Sequence, residues 1–398
     1  MIRNARRRHA FVRVERISEG PGGRGCRGCR APVLGRLLQR LPLVSLIVAS
    51  ACAPGAGDDA EIERDGARAS SPEAAEAQVR TSTRGLDGTL LAQAYRRAAE
   101  LPRLHSLLVA RHGELAREEY FRGPGRDREV NIKSASKCVL SALVGIAIAE
   151  GHLEGLDQPV APLFPEYVRT DVDPRIDEVT LAHLLSMQAG LEPTSFGNYG
   201  RWVSSSNWVR FALRRPFVDE PGGRMLYSTG NSHVLSAVLT RATGTSTLEY
   251  AREKLGRPLG IEVAAWTRDP QGVYSGGNQM SLRPRDLLAF GELYRNGGRH
   301  EGEQVVPEEW IRESWRRRTT SPFNGHGYGL GWWIRPSGAY DVYFAWGYGG
   351  QYLFIVSDLE LTVVTTSDPV SPREGDHNRA VQRLLDESLI PAAETGAG

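Results

Sequence analysis

The order of apolar patterns along the chain predicts an α/β fold of the α+β kind: an antiparallel sheet flanked by helices, with an all-α domain inserted. Three observations carry that expectation. Leu107–Ala110 and Leu115–Phe121 are apolar-rich runs separated by Arg111-His112-Gly113-Glu114, which reads as a hairpin turn. Residues 160–290 mix helical spacing with Gly/Pro loops and hold few strand runs. After residue 325 strand patterns return, at Tyr328–Arg335, Val342–Trp346, Gln351–Ser357 and Leu361–Thr366. Strands at both ends with helices between them fit one sheet built from both ends of the chain. A chain of 398 residues with 40% hydrophobic composition supplies ample core.

Taken in order, residues 1–52 read as a leader. Arg36 and Arg40 precede the short apolar stretch Leu41–Ala51, the pattern of a secretory signal. Ala49-Ser50-Ala51-Cys52 resembles a bacterial lipobox, so Cys52 is expected to be lipidated after cleavage. The Arg/Gly-rich start fits no signal, and translation is expected to begin near Val33. Cys26-Arg27-Gly28-Cys29 has no second pair and no histidine at finger spacing, so it is not read as a metal site. Residues 53–85 are rich in Ala, Glu, Asp, Ser, Arg and Pro, cannot bury enough surface to fold, and read as a flexible tether. The protein is therefore expected to be exported, on the periplasmic or cell-surface side, touching a membrane only through a lipid anchor.

The folded part is expected over 86–392, with sheet-bearing segments 86–160 and 290–392 and a mainly helical segment 161–289. Leu86–Glu100 has helical spacing. Val139–Glu150 is apolar on most faces and closed by Gly151, a buried helix. Thr180 caps the start of a helix at Leu181, and Asn378–Leu389 forms a terminal helix. The net charge of +2 hides an asymmetry: residues 1–40 hold eleven arginines against two acids, a net of +9, which leaves −7 on the rest. A nucleic-acid partner, which needs a basic face on the folded domain, loses its support. No apolar run reaches the ~18 residues of a membrane span, and four cysteines are too few for a disulfide scaffold.

The chemistry centres on Ser134-Ala135-Ser136-Lys137, an S-x-x-K at the start of the buried helix. That spacing puts both side chains on one face. Serine is a weak nucleophile until a base takes its proton, and a buried lysine can be that base once desolvation lowers its pKa. Arginine cannot, and lysine is scarce here: Lys133, Lys137 and Lys254 stand against 46 arginines. Ser136 lacks a lysine three residues on, and Cys138 reads as a small core residue. Tyr227, in Tyr227-Ser228-Thr229-Gly230-Asn231, gains meaning as a partner for Ser134, because a phenol near an ammonium can shed its proton. Ala345-Trp346-Gly347-Tyr348-Gly349-Gly350-Gln351 reads as a glycine-rich strand edge offering a backbone N–H to an oxyanion, with the Ser134 N–H as the other donor.

Together these motifs resemble the serine hydrolases of the class C β-lactamase and D-alanyl-D-alanine peptidase type, including esterases and 6-aminohexanoate-dimer-hydrolase-like amidases. Ser134–Lys137, the run Val179–Leu191, Pro221–Asn231, Arg257–Ile261, Gly276–Asp286 and Trp346–Gln351 carry the resemblance, from about residue 100 to 370. It implies a class C β-lactamase-like fold without metal or organic cofactor. It also implies Ser134 as the acyl-forming nucleophile, Lys137 as its activator, and Tyr227 as base and proton donor to the leaving group. Two departures matter. Thr229 stands where the family often has asparagine, with Asn231 further along as a substrate-binding candidate. Trp346-Gly347-Tyr348 takes the place of a Lys-Thr-Gly, so no cation is offered there to a carboxylate, and the second oxyanion donor is Tyr348 or Gly349. The expected activity is hydrolysis of a small-molecule ester or amide. The alternatives are a β-lactamase or D,D-peptidase, and a non-catalytic penicillin-binding-like sensor. Gly325–Gly331 leads into a strand rather than a helix and is not read as a nucleotide loop. His183 reads as hydrogen-bonded core, and Trp202, Trp208, Trp266, Trp332 and Trp333 as mostly core.

Overall fold

In the computed structural model, which describes residues 84–168, 171–370 and 374–396, strands from both ends of the chain pair into one eight-stranded sheet. The leader with Cys52 and the tether up to residue 83 lie outside the described residues. The strands are β1 (Leu104–Arg111), β2 (Glu114–Tyr120), β3 (Thr319–Thr320), β4 (Gly327–Tyr328), β5 (Trp333–Ser337), β6 (Tyr340–Gly347), β7 (Gln351–Val356) and β8 (Leu361–Ser367). Their order across the sheet is β2-β1-β8-β7-β6-β5-β4-β3, every pairing antiparallel. The register Val109↔Val363 joins the N-terminal hairpin to the C-terminal meander, within which Phe344 pairs with Phe354. The β1–β2 turn runs through His112 and Gly113, both with positive φ (53° and 83°), the geometry of a tight hairpin.

The sheet is buried on both faces, and alternation along each strand decides which core a residue joins. Leu107, Val109, Phe344, Tyr352, Phe354 and Val363 pack beneath helix α1 (Gly88–Glu100) and the C-terminal helices. Leu108, Ala110, Ala345, Leu353, Ile355 and Val364 face a larger core. That core also takes in helices α2 (Ser136–Ala149), α3 (Thr229–Thr243) and α4 (Pro284–Arg295). Asp87 caps α1 by accepting from the Leu90 N–H at 2.8 Å. The terminal helix of the sequence reading is α5 (Glu374–Leu384), continued by a π-helical stretch and a short helix to Thr395. Thr180 caps Leu181–Leu185 as expected. His183 completes the cap, with Nδ1 accepting from the Thr180 N–H at 3.3 Å, so it is a half-buried capping residue.

One expected strand is broken in two. Tyr328–Arg335 divides at Leu330-Gly331, where Gly331 adopts φ +86°. The two freed carbonyls accept from α2 instead: Ser141 Oγ reaches Leu330 O at 2.7 Å and Cys138 Sγ reaches Gly331 O at 3.1 Å. The break thus serves as a seat for α2. The edge strand Thr319–Thr320 had no legible signal, being two residues long.

Candidate active site

Ser134 sits in a 3-10 turn, Lys133–Ala135, immediately before α2. The sequence reading put it at the start of the helix itself. The turn is forced by Lys133, whose φ of +54° is rare for a non-glycine residue and costs on the order of 1–3 kcal/mol. Two hydrogen bonds hold that conformation: the Lys133 N–H donates to Asn131 Oδ1 at 2.9 Å, and Ser136 Oγ donates to the Lys133 carbonyl at 2.7 Å. Ser136, the rival nucleophile, is thereby occupied in bracing the turn.

Lys137 lies one turn along, 3% exposed, with Nζ 3.1 Å from Ser134 Oγ and donating to the Gly277 carbonyl at 2.7 Å. No carboxylate is among these contacts. Burial pulls its pKa down from 10.5 to about 7, so near neutral pH a substantial fraction is a free amine facing the serine. Gly277 arrives by a short ladder: Val130↔Leu282 and Asn131↔Ser281 pair, and the Ile132 N–H donates to Met280 O at 3.0 Å. Gly277 has φ +73°, and a Cβ there would meet Lys137 Cγ and Ser232 Cβ at 2.7 Å each. Only glycine lets its carbonyl approach the amine so closely.

Tyr227 comes from the loop before α3, and the Ser134 hydroxyl is near enough to its phenol to favour the ionised form slightly against burial. The Lys137 ammonium position is over its ring face, 5.1 Å from the centroid. Desolvation pushes the phenol well above its ordinary range, so Tyr227 is a neutral phenol, not a stored tyrosinate. Its position is set by residues to which the sequence reading gave no role. The Leu226 N–H donates to Met187 O at 2.8 Å, and the Ser228 N–H contacts Met187 Sδ at 3.4 Å. Beyond it, Thr194 Oγ1 accepts from the Gly230 N–H at 2.7 Å, and Ser195 Oγ accepts from the Thr229 N–H at 2.9 Å. These two side chains cap α3 from outside the helix, which no local pattern could reveal.

In the third motif the close approach is at Gly347. A Cβ there would lie 2.1 Å from Ile132 O, so β6 ends directly against the Ser134 turn. Trp346 points to the opposite face, 5.5 Å from Trp333 and stacked on Tyr352, and Trp333 in turn stacks on Tyr227. Tyr348 is exposed in the following turn. Gly349 faces Pro369, and its carbonyl accepts from Arg103. Asn231 is buried in the first turn of α3, and among the described residues no hydrogen bond or ring contact joins it to Ser134, Lys137 or Tyr227. Trp202, Trp208, Trp266, Trp332 and Trp333 are all buried.

The rim of the site is aromatic. Phe196, held at φ +54°, lies 6.3 Å from the Tyr227 ring and 5.5 Å from Phe323, and both phenylalanines are about two-thirds exposed at 68% and 65%. One comes from the helical part of the chain and the other from the strand-rich part. A separate cavity of about 390 Å³, lined by residues such as Leu115, Arg285, Glu292 and His300, contains none of these groups. Among the described residues no group of His, Cys, Asp and Glu is arranged to hold a metal ion, and no helix is long and apolar enough to cross a membrane.

Comparison with known proteins places the fold in a family. The beta-lactamase family model matches residues 100–387. A 6-aminohexanoate-dimer hydrolase of Paenarthrobacter ureafaciens is 26% identical over 224 residues, 52% of this chain and 55% of that protein, so the chain matches about half of that relative's length. Among solved structures, the hydrolase EstCE1, described as having promiscuous acyltransferase activity, superposes with a TM-score of 0.61 at 19% identity, over 76% of this chain and 99% of its own. The octameric penicillin-binding protein homologue of Pyrococcus abyssi gives 0.59 at 19% identity, over 78% of each chain. These structural likenesses are likenesses of fold.

Proposed function

The chain belongs to the beta-lactamase family of serine hydrolases, and on that footing we propose that it cleaves uncharged carboxylic esters or amides through an acyl-enzyme on Ser134. One observation carries the reading. A buried lysine with no carboxylate partner contacts a serine hydroxyl at 3.1 Å, and its pKa falls to about 7, where a general base works best.

Neutral Lys137 takes the Ser134 proton as Oγ attacks the substrate carbonyl. The oxyanion is met by the Ser134 N–H and by the Tyr348 N–H, the amide that follows the close approach at Gly347. Tyr227, a neutral phenol beside Ser134 and Lys137, gives its proton to the departing oxygen or nitrogen, and the proton held by Lys137 replaces it. Water then attacks the acyl-enzyme with the same groups acting in reverse, releasing the acid and restoring Ser134.

The aromatic rim of Phe196 and Phe323, and the lack of a lysine in the Trp346-Gly347-Tyr348 segment to meet a carboxylate, favour uncharged, apolar substrates over β-lactams and peptide termini. Export and lipidation at Cys52 form part of the same proposal, supported by the signal-like pattern of residues 36–52. Fatty-acid labelling of the expressed protein, lost in Cys52→Ser, tests that part.

The catalytic part is tested with a fluorophosphonate probe and p-nitrophenyl esters. A single adduct on the native protein, absent from Ser134→Ala, is expected, together with ester turnover whose kcat/KM rises with pH through about 7 as Lys137 loses its proton. A folded protein that neither labels nor turns over ester ends the reading. Nitrocefin turnover exceeding ester turnover moves it to a β-lactamase.

A further inference from the structure

His233 and Asp269 form a fully buried pair, each side chain 0% exposed, and the chemistry above uses neither. His233 lies on α3, six residues beyond Tyr227, with Nε2 3.0 Å from Asp269 Oδ2. Its other ring nitrogen, Nδ1, accepts from the Gly276 N–H at 3.3 Å. These partners fix the tautomer: a backbone N–H needs an acceptor at Nδ1, and the carboxylate needs a donor at Nε2, so the ring is neutral and carries its proton on Nε2. Asp269 is itself saturated, since Oδ1 accepts from the Gln271 and Val273 N–H groups at 2.9 Å each. Trp202 and Trp208 stand edge-on to the imidazole at 5.7 and 5.3 Å and keep water away.

Gly276 is joined directly to Gly277, the residue whose carbonyl receives Lys137 at 2.7 Å. Gly276 also lies hard against α3, where a Cβ would come within 2.0 Å of Ser232 O. The residue before it is separately anchored, with the Ser275 carbonyl accepting from Trp266 Nε1 at 2.9 Å. The hydrogen bond from Gly276 to the imidazole is thus the last fixed point before the carbonyl that orients the base.

We propose that His233, held in one tautomer by Asp269, is a positioning residue for Lys137, acting through the Gly276–Gly277 peptide. One imidazole thereby ties the helix that follows Tyr227 to the segment that orients the lysine. The proposal rests on the reading of Lys137 as general base.

The test compares His233→Phe, His233→Asn and Asp269→Asn in the full chain, with p-nitrophenyl butyrate as substrate. Phenylalanine keeps the ring and loses both hydrogen bonds; asparagine keeps an acceptor where Nδ1 stood. His233→Phe is expected to lower kcat about tenfold or more with little change in KM, and to displace the kcat/KM midpoint from about 7. His233→Asn is expected to recover most of kcat and the midpoint. Asp269→Asn, which unfixes the tautomer without changing volume, is expected to shift the midpoint in the same direction as His233→Phe, and it stands in should that variant not fold. If a folded His233→Phe, or Asp269→Asn in its place, keeps the native midpoint and kcat and loses only thermal stability, the pair is structural and the proposal fails. Lys137→Ala separates the two levels: if it stays active, the general-base reading itself falls, whereas an inactive Lys137→Ala with an unmoved His233→Phe midpoint overturns only this inference.

Discussion

The two walls of the site are built in opposite ways. The Ser134–Lys137 wall is local: two residues three apart, on a 3-10 turn and the first turn of α2, meet through their spacing and a turn braced by their near neighbours Asn131 and Ser136. The opposite wall is assembled from distant segments. Gly277 lies 140 residues beyond the lysine it contacts, and Tyr227 is fixed by Met187, Thr194 and Ser195, more than thirty positions upstream. In the proposed mechanism the local wall supplies the reactive atoms, and the distant wall supplies their orientation. Damage to the first should therefore remove the reaction, whereas damage to the second should degrade it in steps and lower stability at the same time.

Lys137→Met is the sharpest probe of the first wall. Loss of the base is expected to cut acylation by about a thousandfold or more, within the range of removing an essential general base. Stability should move the other way. The folded-state pKa of Lys137 lies below its unfolded value of 10.5, so burial of the ammonium is a penalty fully present below pH 7 that lifts as pH rises from about 7 to 10.5. Methionine avoids it. Denaturant titrations should show the variant ahead of the native protein by on the order of a few kcal/mol at pH 6, with the gap closing by pH 10. An equal gap at both pH values would mean that the lysine is not depressed.

Gly277→Ala probes the second wall at its tightest point. The new Cβ would press on Lys137 Cγ and Ser232 Cβ at 2.7 Å, in a backbone conformation with φ +73°. A loss of about 2–4 kcal/mol of stability is expected, with kcat falling by about a hundredfold and the fluorophosphonate adduct still forming slowly on Ser134. Full activity would show that the carbonyl does not orient the base.

The smallest effect is expected from Thr194→Val. It keeps the volume but leaves the Gly230 N–H without its 2.7 Å acceptor, at a cost of about 1–3 kcal/mol. Tyr227 would lose one brace of several, and kcat should drop by about tenfold or less while the pH midpoint stays near 7. A displaced midpoint would mean that the two walls are more tightly coupled than their separate anchors suggest.

Legibility in the sequence followed the same division. Ser134 and Lys137 could be read because S-x-x-K is short and lies beside an apolar helix, where a lysine stands out. Scarcity alone was a poorer guide: Lys254, equally rare, bridges Glu150 and Glu253 at 2.6 and 3.0 Å, a role arginine could also fill. Tyr227 emerged only through the company of other motifs. Phe196, His233 and Asp269 carried no local signal, because a buried imidazole and an exposed phenylalanine look like any others until their neighbours are known. Gly347 was read as part of a glycine-rich strand edge facing an oxyanion, and its contact with Ile132 O became visible only once β6 was placed against the Ser134 turn.

The sequence by itself determined the alternation that buries the sheet on two faces, the hairpin at His112-Gly113, the helix that presents Lys137 to Ser134, and the absence of a cation at Trp346. Each follows from side-chain period, turn chemistry or residue type, which act over a few neighbouring positions. Tertiary structure alone decided that Gly331 breaks a strand to seat α2, that Gly277 turns its carbonyl to the lysine, that Tyr227 stays a neutral phenol, and that two phenylalanines from different parts of the chain meet at the rim. Those outcomes depend on desolvation and on contacts across more than a hundred residues, and both exist only after the chain has closed on itself.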